Sequence, residues 1–432
     1  MKKNITIILI TICVIPTLLG VALSANLETG YGWHVDGTEK QAIEKSVFMM
    51  KKTVSDPGLV VLYSTVGYDT NIVMKELRKQ IGKKSQIFGL TSCWGVITSD
   101  GVHTGEKASL AILGISSKSS SFGVGGGSTA NGGNIEKMAQ SQVQKAIDNA
   151  GKQVGTMPDM ILMAASPGIE ESVLKGIAKE VGKNVPVYGG SAADNTLEGK
   201  WKIFSNDNIY SSGFAIAVIF TDHKLGHAFH SGYLSSSKNA VATKVKNSES
   251  RVLLELDNKP AAQVYNEWAY DKFDEQLEKG GSILGPASFY PLARKIHING
   301  RSHFIGIHPS VVNQENKSMD LFANVETGCR LYFTEGTPDA LIYRPSTITR
   351  RALVSGRIKK ADAGVGLFIY CGGTMLAVQD RIKEIVPIIN KSLGKIPYIG
   401  AFTFGEQGSI KGYGNFHGNL MSSIVIMGKS KR

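Results

Sequence analysis

Gly58-Leu59-Val60-Val61-Leu62-Tyr63 decides the fold, because the pattern it opens is written twice more downstream. A short apolar run rich in β-branched residues predicts a buried strand. Ser64 to Asp69 reads as a loop, with Asp69 placed to cap the helix that follows. Ile72, Val73, Leu77 and Ile81 then recur at helical spacing, Gly82-Lys83 stops the helix, and Gln86-Ile87-Phe88 is a second strand closed by Gly89, Thr91 and Ser92. The order returns at Met160-Ile161-Leu162-Met163, with Val173, Ile177 and Val181 before Gly182-Lys183. Pro186-Val187-Tyr188 and Gly189-Gly190-Ser191 complete that copy. It returns again at Gly366-Leu367-Phe368-Ile369-Tyr370, with Val378, Ile382, Ile385, Ile389 and Leu393 before Gly394-Lys395. Pro397-Tyr398-Ile399 then leads to Gly400 and Thr403.

Strand, helix, strand in this order predicts a parallel pair joined by a right-handed crossover. Each copy is followed by a further apolar strand: Ser109 to Ile115, Gly213 to Phe220 and Ser422 to Met427. The expected fold is α/β, with mixed sheets built from repeated strand-helix-strand units in two pseudo-related halves. The boundary between the halves is expected near Ala240 to Glu249. Ser116 to Gly133, rich in Gly and Ser, reads as a flexible linker. Arg251 to Leu256 reads as a strand. Pro260 is expected at the first helical position, with Ala261 to Leu277 as the helix.

The chain has 432 residues, 42% hydrophobic and 19% charged, enough for two or three domains with sizeable cores. Lys+Arg 48 against Asp+Glu 36 gives a net charge of +12, spread along the chain rather than gathered with aromatics, which argues against a nucleic-acid partner. Met1-Lys2-Lys3, the apolar run Ile5 to Ile15, Pro16 and Ala22-Leu23-Ser24 read as an export signal cleaved after Ser24 or Ala25. The rival is a retained anchor over Ile5 to Leu23, the single means of membrane attachment. Residues 1–25 are therefore set apart as signal or anchor, and the protein is expected to be periplasmic, secreted or tethered. Cys13 follows Ile12, where a lipoprotein signal needs a small residue. Export would leave Cys93, Cys329 and Cys371, an odd number.

In an open α/β sheet the ligand crevice lies beyond the carboxyl ends of the strands. That selects the loops after the first strands and the glycine turns after the second. Ser191, Asp194, Thr403 and Glu406 are the expected ligand-binding residues there, with Gly189, Gly190 and Gly405 in turns that a Cβ would strain, some of them through φ > 0. Asp194 and Glu406 are expected to face one shared crevice. The alternative is that each acid ties only its own loop. Cys93 and Cys371 lie in the same set, either as functional thiols or as small buried residues. His223, His227 and His230 form the single histidine cluster. On a strand they lie too far apart for one metal ion, and no metal or catalytic residue is assigned. One of them could serve as a haem axial ligand.

These same segments resemble the FIST family, a pair of sensory domains. The N-terminal domain, over residues 45–240, is carried by Leu59 to Ser64, Phe88-Gly89-Leu90-Thr91 and Tyr188-Gly189-Gly190-Ser191-Ala192-Ala193-Asp194. The C-terminal domain, over 250–428, is carried by Leu254 to Ala261 with Tyr265, by Phe368 to Gly373, by Gly400 to Glu406 and by Asn415-Phe416-His417. The resemblance implies a non-enzymatic sensor that binds a small polar, amino-acid-like ligand and signals through a separate protein. Two departures stand out: Gly373-Thr374 where the family pattern carries an Arg, and Gly418 where it carries an Asn. Paired acids without that Arg favour a cationic or polyhydroxylated ligand. A haem-binding gas sensor and a thiol-dependent enzyme using Cys371 or Cys93 are the alternatives.

Overall fold

A computed structural model describes residues 27–298 and 300–431, so the signal or anchor segment lies outside the described residues. The three strand-helix-strand units form as expected. Leu59–Ser64, Thr70–Ile81 and Gln86–Thr91 make the first, with Asp69 accepting from the Asn71 N–H at 2.8 Å as the helix cap. Met160–Ala165, Glu170–Val181 and Val187–Ser191 make the second. Ala363–Cys371 and Tyr398–Thr403 are the strands of the third. In every unit the two strands pair in parallel. In every unit a return strand lies antiparallel to the first: Ser109–Ser116, Gly213–Thr221 and Ser422–Lys431. Each helix stop is a glycine at positive φ: Gly82 at 80°, Gly182 at 76° and Gly394 at 89°.

The repeat is longer than its sequence signature. Ahead of each unit stands an edge strand on the return strand, Glu28–Val35, Ser120–Ser128 and His223–His230. A helix packs on each: Glu39–Lys51, Ile135–Asn149 and Pro338–Ser355. The expected linker at 116–133 is thus corrected. Its centre pairs with Gly213–Thr221 along its whole length. Its glycines serve close packing rather than flexibility, since a Cβ on Gly123 would sit 1.9 Å from the Ala146 carbonyl oxygen. The same contact recurs in the other copies, Gly32 with Ser46 O at 2.0 Å and Gly226 with Ala352 O at 2.2 Å.

The units are interleaved. After its second strand each unit sends out a hairpin, and that hairpin joins a neighbour's sheet. Val96–Thr98 of the first pairs with Tyr398–Thr403 of the third. Ile203–Ser205 of the second pairs with Gln86–Thr91 of the first. Glu406–Ile410 of the third pairs with Val187–Ser191 of the second. This cyclic exchange makes three six-stranded sheets that share one apolar core. Where they meet, Tyr63, Leu162, Tyr188, Leu367 and Ile369 leave a void of about 10 Å³, so the centre is packed.

The third copy is split. Between its edge strand and its helix lies an inserted sheet, including Leu234–Val245, Glu249–Leu256, Leu292–Ile298, Met319–Glu326 and Arg330–Glu335, with its own core. The stretch 240–249 therefore runs through a strand pair of this insertion. The expected helix over 261–277 ends at Trp268, because Tyr270 and Asp271 take positive φ, and resumes as Asp274–Lys279. Pro260 sits one residue before that helix. The third unit's expected helix is also broken, into Gly372–Ala377, a 3₁₀ stretch Gln379–Glu384 and Ile385–Leu393. Starting at Ile385 leaves Pro387 in a first turn, where its missing N–H costs nothing. Among the described residues, no helix is long and apolar enough to cross a membrane.

Candidate functional site

The strand register places Ser64 opposite Thr91, Ala165 opposite Ser191 and Cys371 opposite Thr403, equivalent positions at the carboxyl ends of the three units. The hairpin exchange then draws two of these ends together. Glu406 pairs with Gly190, the Ser191 N–H donates to Gly405 O at 2.8 Å, and the Phe404 N–H donates to Ser191 O at 3.2 Å. Ser191, Thr403, Glu406, Gly190 and Gly405 therefore form one seam, and it is closed: Ser191, Thr403 and Glu406 are fully buried.

A Cβ is excluded at both Gly190 and Gly405, though neither takes a positive φ. Both are glycine because the strands touch. A Cβ on Gly190 would lie 2.4 Å from Thr403 Cγ2. One on Gly405 would lie 2.4 Å from His417 Cε1 and 2.9 Å from Ser191 Oγ.

Glu406 accepts from the Met421 N–H at 2.8 Å and from the Thr403 hydroxyl at 2.9 Å. Burial outweighs these bonds and the nearby Arg344, and raises its carboxyl to about 8. Cys371 lies beside it, its thiol pushed up to about 12 by burial and by Glu406. Burial likewise raises the Cys93 thiol, with Cys371 and Asp194 adding to it. Both thiols are free and protonated at neutral pH, the opposite of what a nucleophilic cysteine needs. Asp194 is tied to its own loop. Its carboxylate accepts from the N–H groups of Thr196, Leu197 and Lys200 at 3.1, 2.6 and 2.8 Å, so it braces its own loop. One acid is held by its loop, and burial favours the protonated form of the other.

The seam contains partners that the sequence did not single out. Ser191 Oγ donates to Glu170 Oε1 at 2.6 Å and accepts from Gln407 Nε2 at 3.3 Å. Gln407 Nε2 also lies 3.1 Å from His417 Nδ1, and His417 Nε2 lies 3.9 Å from Glu170 Oε1. Arg251, from the inserted sheet, donates to Glu170 and Glu171 at 2.7 and 2.8 Å. Burial raises the Glu171 carboxyl, but His417, Arg251 and the Asn324 N–H together bring it down to about 2. Glu170, Glu171 and His417 have donor atoms close enough to converge on a metal ion. The Arg251 guanidinium already supplies the positive charge there, so the donor set is that of an ion-paired brace. His417 follows Asn415-Phe416 in a quoted motif; Glu170, Glu171, Arg251 and Gln407 carry no local signal that would have found them.

The histidine cluster lies on a strand, His223–His230, as read. Each ring has a partner: Ser117 Oγ for His223 at 2.9 Å, the Tyr188 hydroxyl for His227 at 2.5 Å and the Gly232 N–H for His230 at 2.8 Å.

A three-unit α/β fold with exchanged hairpins, an inserted sheet and a buried polar seam between its N- and C-terminal parts defines a two-part domain protein. The sequence matches the FIST N domain over residues 58–259 and the FIST C domain over residues 261–409, and the chain belongs to the FIST family. Domains of this family are sensory modules that bind small ligands. No curated protein matches the sequence. Among solved structures, cyanuric acid hydrolase from A. caulinodans is similar at 9% identity, over 94% of this chain and 99% of that one, with a TM-score of 0.38. A second cyanuric acid hydrolase structure has 9% identity over 93% and 100%, with a TM-score of 0.34. T. maritima PurL complexed with ADP has 9% identity over 94% and 74%, with a TM-score of 0.22. Likenesses at this level carry no argument about function.

Proposed function

We propose that this protein is an exported, non-enzymatic sensor that binds a small polar ligand and signals through a separate protein partner. The observation that carries the reading is the interleaving of the two FIST parts, Glu406–Ile410 of the C domain being a strand of the N domain's sheet. A ligand that shifts one part must strain the hydrogen bonds at Ser191, Gly405 and Glu406, which gives binding a route to the opposite face. The start of the chain supports export, since it reads as a signal segment. The raised thiols support the absence of cysteine chemistry.

Thermal unfolding of the mature protein against a panel of amino acids, organic acids, sugars, nucleotides and polyamines tests this. At least one compound class should raise the melting temperature in a saturable manner. A flat response across every class would contradict the proposal.

A further inference from the structure

On the outer side of the same hairpin lies a cleft of about 600 Å³, within the range of small-molecule sites. Its walls come from both FIST parts. Lys183 follows the helix stop of the second unit, and His227 lies on the third unit's edge strand. Arg351 is on the Pro338–Ser355 helix, Lys411 is in the hairpin turn, and His303 is on the inserted sheet. No Asp or Glu lines it. Lys183 and Lys411 bring positive charge to a concave wall that Arg351 also lines, which focuses potential on an anion.

The neighbouring rings register that field. His227 is brought to about 4 by burial and then by Lys411. His230, just behind, is brought to about 3 by burial and then by Arg351, Arg344 and His303. The cleft is also wired to the seam. Tyr188 donates to Ser409 O at 3.1 Å and bonds His227 Nδ1, while Gln407, on the same strand as Ser409, bonds Ser191. Ser355 Oγ donates to His227 O at 2.7 Å and accepts from its N–H at 2.8 Å, so the Arg351 helix is fastened to the same wall.

We propose that this cleft binds a small molecule carrying two or more phosphate or carboxylate groups, held by Lys183, Lys411 and Arg351. This names a site and ligand class for the sensory reading and rests on it. Two anionic groups suit cations carried on separate elements, Lys183 from the N-terminal part and Arg351 and Lys411 from the C-terminal part.

The test is calorimetry and thermal unfolding of the whole mature chain at low ionic strength with pyrophosphate and with citrate. The comparison is the Lys183→Glu, Lys411→Glu double variant. Both lysines are exposed, so the variant should keep the wild-type melting temperature without ligand. At least one of the two anions should bind the wild type, and the variant should bind it roughly tenfold or more weakly. No binding of either anion, or equal binding by the variant, overturns the inference. If both anions fail while another compound stabilises wild type and variant alike, this site falls and the sensory reading stands. If nothing stabilises either protein, both fall.

Discussion

Replacing Glu406 by Gln should change how stability depends on pH, with a sign fixed by the surroundings of the carboxyl. Glu406 is fully buried, and burial raises it from 4.5 to about 8. The folded chain therefore holds a proton that the unfolded chain releases. Its contribution is complete below the unfolded value and is lost as pH rises through about 8. Between pH 7 and pH 9 this amounts to a loss on the order of 1 kcal/mol. Gln matches the protonated acid in charge: its carbonyl can accept from the Met421 N–H as Glu406 does, while its amide donates to Thr403 Oγ1, reversing the bond in which the Thr403 hydroxyl donates to Glu406. The variant should lack the loss. Urea unfolding of both proteins at half-unit steps across this window gives the answer as a difference curve. Buried histidines such as His308, lowered to about 4, cancel in that difference. The stability of the Gln variant relative to wild type should rise by on the order of 1 kcal/mol from pH 7 to 9. A difference constant to within a few tenths would show that Glu406 is ionised in the folded protein and would refute the argument.

Gly190→Val should lower stability by more than about 2 kcal/mol through overpacking against Thr403, seen as a drop in melting temperature; an unchanged value would mean the seam is loose. Arg251→Met leaves Glu170 and Glu171 without their cation and should cost about 3 kcal/mol or more in urea unfolding, partly restored by adding Glu171→Gln. Wild-type stability of the single variant would count against the brace. N-terminal sequencing of exported protein should return Ala25 or Asn26, whereas Met1 would favour a retained anchor.

The units were legible because each is local: an apolar strand, a helical stripe and a Gly-Lys stop lie within a few tens of residues. The edge strands were not. At Ser120–Ser128 the positions that touch the covering helix must be glycine, and glycine erases the alternation by which a strand is recognised. The hairpin exchange was invisible for another reason. Nothing in Glu406–Ile410 says that its partner is Val187–Ser191 rather than its own unit's strand. The same non-locality hid half of the polar seam. Ser191, Thr403 and Glu406 stand at strand ends that the repeat identifies, but Glu170, Arg251 and Gln407 acquire meaning only once the sheets are assembled. Asp194 fits the alternative reading, an acid that ties its own loop. An acid after a glycine turn suggests a ligand, yet the turn itself supplies three N–H donors that consume the carboxylate.

The central claim, that this FIST pair is a receptor for a small molecule, is tested most directly by mass spectrometry of protein purified without denaturation from the cells that make it. The account predicts a stoichiometric small molecule that is released on denaturation and whose mass is absent from a mock preparation. Bare chain mass under gentle ionisation, with nothing released above the blank, would contradict it.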